Sequence, residues 1–419
     1  MTSESFLTDF HYVAKIGSTP KQGVDREAAT EDDRRTRDWF KEFAFARGWE
    51  IRVDAIGNLF ALVTWHPEAK YVVVGSHLDS QPLGGRFDGA YGVIAALHAA
   101  ARIAERVANG APLPDFNLAV VDWFNEEGGR FPPSIMGSSV YAGVMNKEQM
   151  LNVCDLSGIS VAEALSSIGY LGVNEAPEAV SYAEIHIEQG RVLEKEQLKI
   201  GAVDSSWYTQ KLDIEVLGEQ SHTGATAMAD RHDALVAAAK IVLMVQDVTK
   251  DFDPQDLVSS VGRLTLEPNS PIVVAGRVRM VADLRSNSSR VVLAARSTLL
   301  KRIADLELEQ DIVIKVRDFD VREQQYFPES GVELTQKVAA NLGFEARRMQ
   351  TMAGHDSVAM NHIVPAVMVF IPSVDGVSHC EREFTSDEDM SIGVDVLTDI
   401  TWELLGGALV KGTEQTNKQ

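Results

Sequence analysis

The stretch YVVVGSHLDSQPLGGRFDGAYGVIAALHAAARIAERVA, residues 71–108, decides the fold. Its first six residues are a mainly apolar run, the pattern of a strand buried on both faces. A glycine-rich loop follows. GVIAALHAAARIAERVA then has the length and apolar spacing of a long helix. FNLAVVDWF, residues 116–124, reads as a second buried strand. Strand, crossover helix and strand imply a parallel sheet in an α/β domain.

Outward from this unit, residues 32–48 have helical spacing and end at Gly48, and residues 51–63 read as a short strand pair. From about residue 210 the texture changes. QKLDIEVLG alternates as a strand, DALVAAAKIVLMVQDV is helical, LVSSVGRLTL and VVAGRVRMVADLR are strands, RVVLAARSTLLKRIADLEL is helical, and DIVIKVRDF is a last strand. This β-α-β-β-α-β order is that of a ferredoxin-like sandwich. After about residue 328 the α/β texture returns, with the strand AVMVFIP and a closing helix from about Val394. The expectation is one α/β domain in two segments, 1–210 and 328–419, with a smaller α+β domain inserted over 211–327. The last residues, GTEQTNKQ, read as a polar tail.

Lys and Arg number 39 against 61 Asp and Glu, a net charge of −22. That field repels nucleic acid and anionic membrane, so neither is expected as a partner. No apolar run reaches the length of a membrane span, and MTSESFLTDF lacks the features of a secretory signal. Two cysteines, Cys154 and Cys380, make no disulfide framework, which points to a cytoplasmic location. An anionic substrate would need local cations to hold it.

Ligand-type side chains crowd the ends of the apolar runs, the edge where open α/β sheets bind ligands. The first loop carries His77, Asp79 and Asp88. FNEEGGRF carries Glu126 and Glu127, HIEQG carries His186, and SHCEREFTSDED carries His379. Imidazole and carboxylate together suit zinc, manganese or cobalt. A carboxylate can bridge two metals through its two oxygens, and Asp88, in a glycine-flanked turn, fits that role. Asp79 follows His77 by two residues, so its carboxylate can take the other ring nitrogen of His77. Of the adjacent pair Glu126–Glu127, one can bind metal while the other stays free as a base.

These motifs resemble the M20-type metallohydrolases, and within them the hydantoinase/carbamoylase group: N-carbamoyl-L-amino acid amidohydrolases, β-ureidopropionases and allantoate amidohydrolases. GSHLDSQPLGGRFDGAYGVIAAL, NEEGGRF, HIEQG, GEQSHTGATAMADRHDAL, VADLR, MAGHDS and GVSHCEREFTSDED carry the resemblance. It implies a zinc-peptidase-like catalytic domain with an inserted ferredoxin-like lid and dimerisation domain, working as a homodimer. It implies two divalent ions, zinc or manganese with cobalt or nickel as alternatives. His77 and His186 would bind one, Glu127 and His379 the other, and Asp88 both. Glu126 would be the general base toward a metal-bridging hydroxide. His222 would polarise the scissile carbonyl from the partner subunit. Arg285 would grip the substrate carboxylate, and Gly354 and His355 would line the pocket. The implied substrate is a small ureido or acylamino acid.

Ile272 and Ala275 stand where the family often has Asn and Pro, which leads us to expect a more apolar pocket. Two other functions compete: an aminoacylase or dipeptidase of the same superfamily, and a catalytically silent scaffold. His98, inside the long helix, is expected to be packed there, and Cys380 is given no role.

Overall fold

The computed structural model describes residues 2–410, so the tail read at 412–419 lies outside it. Along the chain come strands β1 (Glu50–Val53), β2 (Leu59–Val63), β3 (Tyr71–Ser76), β4 (Asn117–Asp122), β5 (Ala179–Ile187) and β6 (Ile200–Ser206). Then come β7 (Tyr208–Leu217), β8 (Ser221–His222), β9 (Val258–Glu267), β10 (Val273–Val274), β11 (Arg277–Ser286) and β12 (Val313–Arg322). The last two are β13 (Ala346–Thr351) and β14 (Ala366–Ile371). The chain divides into two compact units. One is Ser206–Gln325, and the other is built from the chain before and after it.

The two-segment unit holds an eight-stranded sheet in the order β1-β2-β4-β3-β5-β14-β6-β13. β4, β3, β5 and β14 are mutually parallel, whereas β1, β2 and β6 pair antiparallel. The parallel sheet read from residues 71–124 is therefore the centre of a mixed one. Its apolar runs work on both faces because successive side chains alternate. Val72, Val74, Leu118, Val120, Val367 and Val369 join one core with the helices Ala90–Ala108 and Asp387–Leu405. Val73, Ala119, Val121, Met368 and Phe370 join the core on the other face. His98 is buried in the first core, with its Nε2 2.9 Å from Asp9 Oδ2.

A fully buried ion cluster ties the helix Glu31–Phe45 to the sheet. Arg37 meets Asp33 at 3.1 Å and Asp122, the last residue of β4, at 3.2 Å. Asp122 Oδ1 accepts the N–H of Leu78 at 2.9 Å, so the cluster also braces the turn that follows β3.

Helix ends obey local rules. Ser386 caps the closing helix by accepting the N–H of Asp389, and Asp387, Glu388 and Asp389 fill its first turn, where acids favour the helix dipole. That helix begins at Asp387, seven residues before the expected start, because its acidic first turn looks like loop when read as ligand-type residues.

The inserted unit is a four-stranded antiparallel sheet in the order β12-β7-β11-β9, with the helices Ala234–Asp247 and Ser289–Gln310 on one face. Leu212, Ile214, Val216, Val278, Met280 and Ala282 turn toward the helices. Between them Asp213, Glu215 and Arg279 carry charge: Asp213 lies 2.9 Å from Arg279 and 2.6 Å from Arg317. The run 273–285 is not one strand. It breaks at Ala275–Gly276, where the Gly276 N–H turns to Glu267 O and its carbonyl takes the Gly218 N–H. The short β10 pairs with β8 instead. Among the described residues, no helix is long and apolar enough to cross a membrane.

Candidate metal centre and active site

The ligand-type residues lie at the carboxyl ends of the parallel strands. His77 follows β3, Glu126 and Glu127 follow β4, His186 is near the end of β5, and His379 lies beyond β14. Asp88 precedes the helix Ala90–Ala108. Tight backbone turns aim them. Asn125, Gln189 and His379 take left-handed conformations, with φ of 52°, 57° and 55°. Such residues persist only where their surroundings hold them. Gly89, with φ of 61°, permits a close approach: a Cβ there would lie 2.2 Å from His77 Cε1.

Two groups of potential metal ligands form, His77–Asp88–His186 and Asp88–Glu127–His379. Asp88 belongs to both. Its Oδ1 lies 3.0 Å from His186 Nε2 and 3.5 Å from His77 Nε2. Its Oδ2 lies 3.4 Å from His379 Nε2, which is also 3.4 Å from Glu127 Oε2. The structure thus brings together all five residues read as metal ligands, with one carboxylate turning one oxygen to each group.

The donor set fits divalent cations on two counts. Tetrahedral bonds of about 2.0–2.1 Å put neighbouring ligand atoms roughly 3.3 Å apart, close to the 3.0–3.5 Å from Asp88 to His77, His186 and His379 and the 3.4 Å from Glu127 to His379. The buried imidazoles are also oriented from behind. His77 Nδ1 is 3.0 Å from Asp79 O and His186 Nδ1 is 2.9 Å from Ile187 O, so each ring donates from Nδ1 and turns Nε2 to the shared carboxylate.

Asp79 therefore acts differently from the expectation. His77 bonds its main-chain carbonyl, while the nearer carboxylate oxygen stands 3.6 Å off, beyond a hydrogen bond. The carboxylate instead accepts the N–H groups of Glu126 at 3.2 Å and Glu127 at 3.3 Å. At 3.6 Å the carboxylate still acts on the ring through its charge: against burial, and with Glu126, it helps to raise His77 above the ordinary imidazole range.

The electrostatics divide the glutamate pair. Burial, reinforced by Glu127, Asp79 and Asp88, pushes the Glu126 carboxyl up to about 8 against the pull of His77. Its Oε2 lies 3.5 Å from His77 Nε2. Glu127 is raised too, chiefly by burial, and is held by Gln81, whose Nε2 donates to Oε2 at 2.9 Å. Burial would push Asp88 up, but His186, His379 and His77 together hold it well below the usual carboxylate range. Glu127, with Asp88 and Glu383, carries the His379 imidazole up to about 10.

Other residues at the site were not singled out in the sequence. Glu184 on β5 accepts from Ser76 Oγ at 2.9 Å and from the Ser357 N–H at 2.8 Å. Asp356, fully buried, takes the Ser138 hydroxyl at 2.5 Å. Gln189 Nε2 donates to Asp88 Oδ2 at 2.6 Å. Gln189 and Asp356 lie within HIEQG and AGHDS, where the histidines drew the reading away from them. His355, placed in the pocket lining with Gly354, is buried, and its ring centroid is 4.6 Å from that of His186. Its Nε2 has no partner among the described residues.

His222 and Arg285 belong to the inserted unit. His222 Nδ1 accepts the N–H groups of Gly224 at 3.0 Å and Ala225 at 3.1 Å. Its proton is therefore on Nε2, which can donate from an exposed ring. Arg285 bonds Asp283, two residues back on β11, at 2.7 Å.

The chain matches Peptidase family M20/M25/M40 over residues 73–403. It is 33% identical over 389 residues to an N-carbamoyl-L-amino-acid amidohydrolase of Rhizobium meliloti, covering 92% of each protein. It is 31% identical over 411 residues to an allantoate amidohydrolase of Bacillus subtilis (strain 168), covering 96% of this chain and 98% of that one. The crystal structure of a hydantoinase/carbamoylase family amidase from Burkholderia vietnamiensis superposes with a TM-score of 0.91 at 33% identity, over 96% of this chain and 97% of that one. With its shared carboxylate and paired glutamates at the sheet edge, the chain belongs to the M20 family of metallohydrolases, in its hydantoinase/carbamoylase group.

Proposed function

We propose that this protein hydrolyses the C–N bond of an N-carbamoyl, or related N-acyl, L-amino acid. The observation that carries the reading is the Asp88 carboxylate shared by two ligand groups, with the buried carboxyl of Glu126 beside them. His77 and His186 would hold one divalent cation, Glu127 and His379 the other, and Asp88 both, zinc and manganese being the ions this donor set suits. Such ions supply Lewis acidity and lower the pKa of water.

The chain's own residues do the rest. Glu126 takes the proton from the attacking water and hands it to the leaving nitrogen. A carboxyl raised to about 8 can exist in both forms near neutral pH, as a base that must later act as an acid requires. His222 donates from Nε2 to the developing oxyanion, in the reading that two copies of the chain pair through the inserted unit. Arg285 holds the substrate carboxylate, supplying the local cation that a chain of −22 needs. Cys154 and Cys380 are unpaired, which supports a cytoplasmic setting.

A panel of N-carbamoyl, N-formyl, N-acetyl and dipeptide substrates, with zinc or manganese added, tests the assignment. Ammonia release from the N-carbamoyl compounds is the expected result. Turnover of acetyl or dipeptide substrates alone would replace the reading with an aminoacylase or dipeptidase. Loading with metal but turning over none of the panel would favour a silent scaffold.

A further inference from the structure

The shared ligand Asp88 is itself held, and the residue that holds it has no part in the reaction described above. Glu383 is only 4% exposed. Its Oε1 accepts the N–H of Phe87 and the N–H of Asp88, each at 3.0 Å. Its Oε2 lies 2.7 Å from the hydroxyl of Ser378, the residue before His379. That hydroxyl also lies 2.8 Å from Asp88 Oδ2. The Glu383 N–H closes the turn after His379 by donating to Cys380 O at 3.0 Å.

One carboxylate thus receives donors from two turns that are distant in sequence. Each turn delivers a member of the second ligand group. Both oxygens of Glu383 accept donors from these turns, and Glu383 belongs to neither ligand group. The room for it is built in: a Cβ on Gly85 would fall 1.9 Å from Glu383 Oε1. The His379 side chain is 50% exposed and its backbone is left-handed, so packing does not fix the ring and the turn behind it must.

We infer that Glu383 is a positioning residue, joining the Asp88 turn to the His379 turn and so setting the geometry of the Asp88–Glu127–His379 group. The inference rests on the reading that these residues hold a cation. Groups that orient metal ligands typically change affinity by on the order of 10–100-fold when removed.

The test is titration of the metal-free full-length protein with cobalt(II), against a chromophoric chelator and by its visible absorption. Wild type is expected to take up two equivalents. Glu383→Ala is expected to bind one equivalent on the order of 10–100-fold more weakly, with an altered cobalt spectrum, and to weaken the other, which shares Asp88 but not His379, by less. Glu383→Gln is expected to restore the second site to within about threefold, because its amide oxygen still accepts both N–H groups and its NH2 can donate to Ser378. Two equivalents at unchanged affinity in Glu383→Ala would overturn the inference, and so would a Gln variant as weak as Ala. If Glu383→Ala does not fold, Ser378→Ala carries the test, since it removes only the bridging hydroxyl. An unchanged second site there overturns the inference too. Wild type that takes up fewer than two equivalents would overturn the two-cation reading first, and this inference with it.

Discussion

Replacing Glu126 with glutamine separates proton transfer from site assembly. The substitution is nearly isosteric and leaves the backbone anchors intact: the Glu126 N–H still reaches Asp79 Oδ1 at 3.2 Å, and its carbonyl still accepts the Ile135 N–H at 2.6 Å. The side chain belongs to neither ligand group, so uptake of both metals should survive. What disappears is a buried carboxyl that burial raises to about 8, close to the pH at which it would give and take a proton. A positioned acid–base group contributes about 10²–10⁴ in rate, and at about 1.36 kcal/mol per decade that is roughly 3–5 kcal/mol of barrier. The assay is initial-rate ammonia release from an N-carbamoyl amino acid, with metal content measured on the same samples. We expect kcat to fall by about 10²–10⁴ with both equivalents of metal retained. A fully loaded variant within about tenfold of wild type would refute the role of Glu126, because no other group would then have lost its function.

Gly89→Ala should place its Cβ against the His77 ring, 2.2 Å from Cε1, in a backbone conformation that alanine resists. Cobalt titration is expected to show the His77–Asp88–His186 equivalent weakened by on the order of tenfold or more, and unchanged binding would contradict the packing described. The metal-free protein should also lose stability as pH rises from 7 to 9. Folded Glu126 keeps its proton up to about 8 and folded His379 to about 10, while their ordinary values are 4.5 and 6.5. The folded chain then binds more protons than the unfolded chain, and stability falls with pH. Bound cations should flatten this slope, because the imidazoles and carboxylates ligate without protons. Denaturant midpoints in chelator across that range check the sign, and a rise would refute it.

Much of the molecule is legible in the chain because two kinds of signal are local. Apolar runs such as YVVVGS and AVMVFI mark buried central strands wherever they occur, and the inserted β-α-β-β-α-β order follows from patterning alone. The ligand-type residues His77, Asp79, Asp88, Glu126, Glu127, His186 and His379 stand out because such side chains crowd the ends of these runs, and the family resemblance singled out five of them as ligands. The run 273–285 and the helix start at Asp387 were less legible. A two-residue strand pair and an acidic helix cap depend on partners far along the chain.

The sequence by itself determined the strand runs, the insertion and the pool of ligand-type residues, because these rest on side-chain chemistry and short-range periodicity; the choice of five ligands among them came from the family resemblance. Only the tertiary structure decided how the ligands are held. That the carboxylate of Asp79 serves the amides of Glu126 and Glu127 rather than the ring of His77 depends on a few tenths of an ångström. That Glu383 reaches Phe87, Asp88 and Ser378 depends on two loops meeting almost three hundred residues apart. Hydrogen bonds are set by distance and direction, which spacing along a chain does not encode.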